Sequence, residues 1–302
     1  MQKILNLRGL GTAGRQNELI EMSLTYRFDA VEIDMADVLG RDATMGRRFA
    51  LQFLQSAKTR VGTFRLPISC GADEDSFQRD LVKLFTIIEL AQELKCPRCY
   101  LEIEAGNDTV NFQENFETHR RRLHDVAQRL QDAGIRLGLA LQHGAPQSTK
   151  AYRFIRSADE LLTLIRMTGH KNTGLLLDTW NWLACGGTWQ QIEDLNLALI
   201  TETRLADFPP GVDPITAKPQ QIELPGSRPD SFALKVFKHL QQSGYDEAVS
   251  IATHASMFVE QSRDQVVFEM IQRLNLLVDV ATGARPEADL WGGEPSELAA
   301  AP

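Results

Sequence analysis

No stretch of this chain comes near the roughly 18 consecutive apolar residues that cross a bilayer, so no membrane partner is expected. Basic residues are in the minority: 32 Lys and Arg stand against 40 Asp and Glu, a formal charge of −8. Phosphate backbones are gripped mainly by Lys and Arg, so this balance argues against a nucleic-acid partner. Cysteine is scarce, with only Cys70, Cys96, Cys99 and Cys185. Cys96 and Cys99 form a CPRC unit, but no second pair accompanies it, and ordinary reduced thiols are expected. A P-loop lysine is missing. Gly9–Gly14 (GLGTAG) has the letters of a dinucleotide fingerprint without the ribose-binding acid in a βαβ frame, and reads as a loop after the first strand. The N-terminal MQKILNLRGLG lacks the long apolar core and small-residue cleavage site of a secretion signal, so a cytoplasmic location is expected.

What is present is an alternation. Short apolar, β-branched runs fall at Lys3–Leu7, Ala30–Ile33, Val61–Leu66, Cys99–Ile103, Ile135–Leu141, Thr173–Leu177, Leu199–Leu205 and Ala248–Ile251. Amphipathic stretches long enough for crossover helices lie at Gln16–Thr25, Ser76–Leu94, Phe116–Ala133, Ser157–Met167, Ser231–Gln242 and Asp264–Val280. Eight strands alternating with helices predict a single (β/α)8 TIM barrel with a parallel eight-stranded core over residues 1–281. The tail 282–302, rich in Gly, Pro and Ala, is expected to pack loosely. Phe208–Pro229 carries six prolines and predicts an irregular loop over the barrel mouth. The ETHRRR cluster at 117–122 reads as a solvated helix face.

Candidate site residues follow from strand ends, because the C-terminal ends of barrel strands face the site. Asp178 ends an apolar strand ahead of Trp180 and Trp182; it is a catalytic candidate or a helix cap. Arg204, a cation at the mouth, needs an anion. That anion is either a substrate carboxylate or phosphate held by the guanidinium fork, or Asp178. Gln142 shares a strand face with Ala140 and suits a sugar hydroxyl, while His143 reads as a loop residue. His254, just past the last strand, is the imidazole placed for acid or base work. Glu32 with Asp34, and Glu102 with Glu104, alternate on one strand face each. Carboxylates from two strands meeting over the mouth would supply acid/base chemistry or a relocated metal site; capping is the other reading. Cys185 has no paired histidine to make it a nucleophile.

The phrases LLLDTWNWLACGG, RLADFPPG, ELPG and SGYDEAVSI, in this order, resemble the xylose isomerase-like barrel family of sugar phosphate isomerases and epimerases. Endonuclease IV and inosose dehydratase-type enzymes share its fold. The resemblance runs from FDAVEID to the last strand. It implies a divalent ion held by a glutamate ending strand five, an aspartate ending strand six, a histidine on strand seven and a glutamate ending strand eight. Those positions fall here on Ala140 (or Gln142), Asp178, Arg204 and Ala252. Asn181 stands where the family has a substrate-contacting histidine, and Asp207 matches an aspartate that braces the next loop.

With one expected ligand of four retained, no cofactor is expected, Mn, Mg or Zn being the ions that remain open. The expected function is that of a sugar or sugar phosphate isomerase or epimerase-like barrel. It would bind a small polyol, keto sugar or sugar acid at the C-terminal rim through Gln142, Asn181, Arg204, Trp182 and Glu104. Glu32, Asp178 and His254 are the catalytic candidates; Glu104 is a further candidate base. Isomerisation through an enediol would lean on Arg204 to stabilise the enediolate. The alternative is a family member that binds a ligand or partner without turnover. A homodimer is compatible with either. A DNA-repair endonuclease is disfavoured by the acidic charge and the missing multi-zinc cluster.

Overall fold

The computed structural model describes residues 1–6, 16–57, 59–142, 144–254, 256, 259 and 261–291. The glycine-rich segment 9–14 and His143 lie outside the described residues. Eight strands form one sheet: β1 (Gln2–Leu5), β2 (Ala30–Ile33), β3 (Val61–Phe64), β4 (Arg98–Ile103), β5 (Arg136–Leu141), β6 (Thr173–Asp178), β7 (Ile200–Leu205) and β8 (Ala248–Ile251). Every paired neighbour in this sheet is parallel. The remaining seam, between β3 and β4, is joined by a parallel bridge between Arg65 and Tyr100, with the Leu66 amide donating to the Tyr100 carbonyl at 2.9 Å. The chain is thus an α/β TIM barrel.

Alternation along each strand separates two cores. Outward residues such as Val31, Leu101, Leu139, Leu177 and Val249 pack under the surrounding helices. Inward residues fill the barrel in layers, as this fold requires. Ile4, Ala30 and Ala248 make one apolar layer; Tyr100, Ala140 and Leu176 make another. Gly138 is inward too, and a Cβ there would strike the Thr201 hydroxyl. Such small residues leave volume inside the barrel for an arginine.

The expected helices are found, and five of the six begin at a residue whose side chain caps the first turn. Ser157 and Glu160 form a capping box for Ala158–Met167, and Ser262 with Gln265 does the same for Arg263–Ala281. Two helices not expected from the sequence, Met35–Met45 and Arg47–Ser56, intervene between β2 and β3. The first buries only Met35 and Val38, too few apolar positions to mark its period. Asp34, weighed above as a site carboxylate, is its N-cap, accepting from the amides of Ala36 and Asp37. Within the tail, the turn Ala288–Trp291 buries Leu290 against Leu277 and Gly226.

The helix Phe112–Asp132 corrects the solvated reading of the ETHRRR cluster. Arg121 is exposed, but His119 and Arg122, one turn apart, face inward and are buried. Arg122 donates to the carbonyls of Cys70 and Ala72, pairs with Glu74 at 2.7 Å, and lies over the Phe77 ring. It pins the loop after β3.

Candidate functional site

The barrel interior beneath the C-terminal rim holds an ionic cluster. Glu202 and Arg204 share the inner face of β7, and Arg204 Nε donates to Glu202 Oε1 at 2.8 Å. Its Nη2 reaches Glu32 Oε2 at 3.4 Å across the barrel, and the guanidinium carbon sits 4.3 Å from the Tyr100 ring centroid. The Tyr100 hydroxyl donates to Glu32 Oε1 at 2.6 Å. Arg204 and Glu202 are each 1% exposed and Glu32 3%. Burial works against the guanidinium charge, but Glu202, Tyr100 and Glu32 outweigh it and hold Arg204 firmly protonated. The internal ion pair weighed from the sequence therefore exists, with Glu202 and Glu32 as the partners where Asp178 was expected.

Asp178 and Arg204 are register partners on β6 and β7. The Asp178 carboxylate accepts from the Asn181 amide at 2.9 Å and caps the helix Thr179–Ala184. Asn181 is itself buried, its side-chain amide 3.5 Å from the Leu141 carbonyl. Trp182 turns away from the mouth into the outer core, donates to the Thr188 carbonyl at 3.1 Å and packs on Gly187. Above this region, Trp180 stacks on Phe208 at 4.9 Å and joins Ala206, Ala217, Ile222 and Ala252 in an apolar cap. The proline-rich loop supplies Ala217 and Ile222 and is strapped down from both sides. Gln147 donates to the Ile215 and Ala217 carbonyls, and Ser256 to that of Gln220. His254 pairs with the Ser256 hydroxyl through Nδ1 at 2.8 Å on this outer edge.

Asp207 braces that loop. Its carboxylate collects the Gly226 amide at 2.8 Å, the Ser231 hydroxyl at 2.5 Å and the Ala233 amide at 3.0 Å, fixing the LPG turn to the start of the helix Phe232–Gln242.

An open cleft of about 180 Å³ lies on the other side of the rim, between the loop after β3 and the ends of β4 and β5. Its lining includes Arg65, Gly71, Glu102, Glu104, His119 and Gln142. Two residues expected at a substrate pocket, Glu104 and Gln142, meet here. The Glu104 carboxylate lies on the backbone of Gly71, where a Cβ would come within 2.8 Å of Oε2. Gln142 accepts from the Ala105 amide at 2.8 Å, which fixes its side chain at the rim. Arg65 approaches Glu102 at 3.8 Å. Cys70 also lines the cleft, but burial pushes its thiol up to about 12, so it is no nucleophile. Cys185 is likewise held up at about 12 by burial. Cys96 and Cys99 are separate free thiols, each directed at a backbone carbonyl.

Tyr100, Glu202, Arg65 and His119 were not singled out from the sequence. Glu202 had a signal: it stands two residues before Arg204 on one strand and so shares its face. Tyr100 had the same relation to Glu102. His119 had only its spacing from Arg122.

The four positions where the resemblance implies a metal lack most of the side-chain donors a divalent ion needs. Ala140 and Ala252 carry no donor, Asp178 caps a helix, and Arg204 is a paired cation. Among the described residues no three His, Cys, Asp or Glu side chains are grouped to hold an ion. Several oxygen or imidazole ligands must converge for Mg, Mn or Zn, and this donor set does not fit.

Comparison with known proteins agrees with the fold. The family model described as xylose isomerase-like TIM barrel matches residues 25–275. No curated protein matches the chain. Among solved structures, a xylose isomerase domain protein from Alicyclobacillus acidocaldarius superposes with a TM-score of 0.80 at 18% identity, over 94% of this chain and 100% of that one. The IOLI protein, solved with a binding zinc atom, gives a TM-score of 0.74 at 14% identity, over 94% of this chain and 99% of its own. A D-tagatose 3-epimerase-like protein gives 0.68 at 14% identity, over 94% and 99%.

Proposed function

The chain belongs to the xylose isomerase-like TIM barrel family, and on that premise we propose that it binds a small neutral polyol or keto sugar at the C-terminal rim without metal-assisted turnover. The observation that carries this reading is the convergence of Glu102, Glu104 and Gln142 in one rim cleft. Two carboxylates and an amide are acceptors for the hydroxyls of a sugar. Two Glu against one Arg disfavour a sugar acid, because its carboxylate would meet like charge. The volume, about 180 Å³, is below the ~300–1,000 Å³ of drug-sized sites and suits one small polar molecule.

Enediol isomerisation would need an available base and something to stabilise the enediolate. Glu32 holds Tyr100 and Arg204, Asp178 caps a helix, and His254 is engaged with Ser256. Arg204 is committed to two carboxylates inside the barrel. Glu104 remains as a candidate base in the cleft, but Arg204, the cation expected to stabilise an enediolate, is committed inside the barrel, which supports binding over turnover. Such a protein would be a small-molecule binder derived from an isomerase scaffold.

Calorimetric titration with D-sorbitol and D-fructose, against D-gluconate, tests it. The neutral compounds are expected to bind, with or without Mn²⁺, and Glu104→Gln to weaken them. Binding of gluconate alone, or sugar turnover that depends on added metal, overturns the reading.

A further inference from the structure

The helix Phe112–Asp132 sends one imidazole into the rim cleft from a position that strand-end reasoning does not reach. His119 lines the cleft and is nevertheless 1% exposed. Its Nδ1 lies 2.9 Å from the Asn115 carbonyl one turn back. A carbonyl only accepts, so Nδ1 carries the proton. In the neutral ring Nε2 is then the nitrogen that keeps its lone pair and can accept. Phe154 packs on the ring at 4.5 Å and holds its orientation.

We propose that His119 is a specificity-determining residue of the cleft, its Nε2 lone pair accepting a hydrogen bond from one hydroxyl of the bound polyol. This rests on the reading of the cleft as a polyol site. The imidazole stays neutral through the physiological range, because burial holds its pKa down at about 4, with Arg122 adding to the effect. A neutral ring with a fixed tautomer is a directed acceptor. A ligand offering a carbonyl or ether oxygen at that point would leave two acceptors facing each other, which costs binding when both are desolvated. The site therefore selects a hydroxyl there, and Glu102 and Glu104 extend the same preference along the cleft.

Nitrogen-15 NMR of the wild-type protein reads the ring without any ligand. An unprotonated Nε2 beside a protonated Nδ1 is expected at pH 7; the reverse tautomer, or an imidazolium, overturns the proposal. Titrations with D-sorbitol and D-fructose then follow in wild type, His119→Phe and His119→Gln. The Phe variant is expected to bind at least about tenfold more weakly, and Gln, which restores an acceptor, to recover much of that loss. One monodeoxy analogue is expected to bind wild type and His119→Phe alike, since it lacks the hydroxyl in question. Equal affinity of wild type and His119→Phe for the parent sugar sinks the assignment while leaving the polyol site standing. Failure of every neutral sugar to bind wild type sinks both.

Discussion

Arg204 and Glu202 lie two residues apart on β7, both turned into the barrel, with Nε and Oε1 separated by 2.8 Å. A pair this deep is sustained by what surrounds it: Glu32 from β2 and the face of Tyr100 from β4 complete the guanidinium's environment. One buried arginine facing two carboxylates resembles other interior triads, where loss of a single member leaves an uncompensated charge.

Arg204→Met is accordingly expected to cost ~3–5 kcal/mol, because Glu202 and Glu32 remain buried without their cation. The double variant Arg204→Met with Glu202→Met is expected to be more stable than the single one. Urea unfolding of both measures the difference, and additive losses would contradict the coupling.

Metal removal is expected to change nothing. The centre is held by a guanidinium, and Ala140 and Ala252 offer no ligand. Dialysis against EDTA, or addition of Mn²⁺, Mg²⁺ or Zn²⁺, should leave Tm within about a degree. Elemental analysis finding one tightly held ion per chain would refute this.

Burial depresses His119 from an ordinary value near 6.5 to about 4. The unfolded chain therefore takes up this proton at a higher pH than the folded one. Stability from this group is full above pH 6.5 and falls as pH drops toward about 4, then levels off. The linked loss is roughly 3 kcal/mol. His119→Phe should flatten that part of the unfolding free energy against pH, whatever its effect at neutral pH.

Asp207 gathers two amides and a hydroxyl in a buried setting. Asp207→Ala strands those donors, at an expected cost of ~3 kcal/mol. Hydrogen exchange should quicken at Gly226 and Ala233 first. Unchanged protection there would show that the loop is fixed by other contacts.

The four thiols are buried and free, with Cys70 and Cys96 pushed up to about 12 by burial. No reaction with a thiol reagent is expected at pH 8 in the folded state, and complete reaction in denaturant.

The eight strand runs, the crossover helices at 158–167 and 232–242, and the proline-rich interruption were legible in the sequence because each is a local pattern of period and turn chemistry. So was the chemistry of the individual strand ends: Ala140 and Ala252 hold no metal donor in any fold. The sequence by itself determined the scaffold and these side chains. Which polar groups meet was decided by the tertiary structure alone. Glu32 and Arg204 are 172 residues apart, and closure of the barrel brings them into contact. His119 and Arg122 look like part of a charged surface until the loop after β3 supplies carbonyls for Arg122 and the cleft receives the imidazole. A polar side chain is buried only where partners are provided, and those partners come from distant parts of the chain.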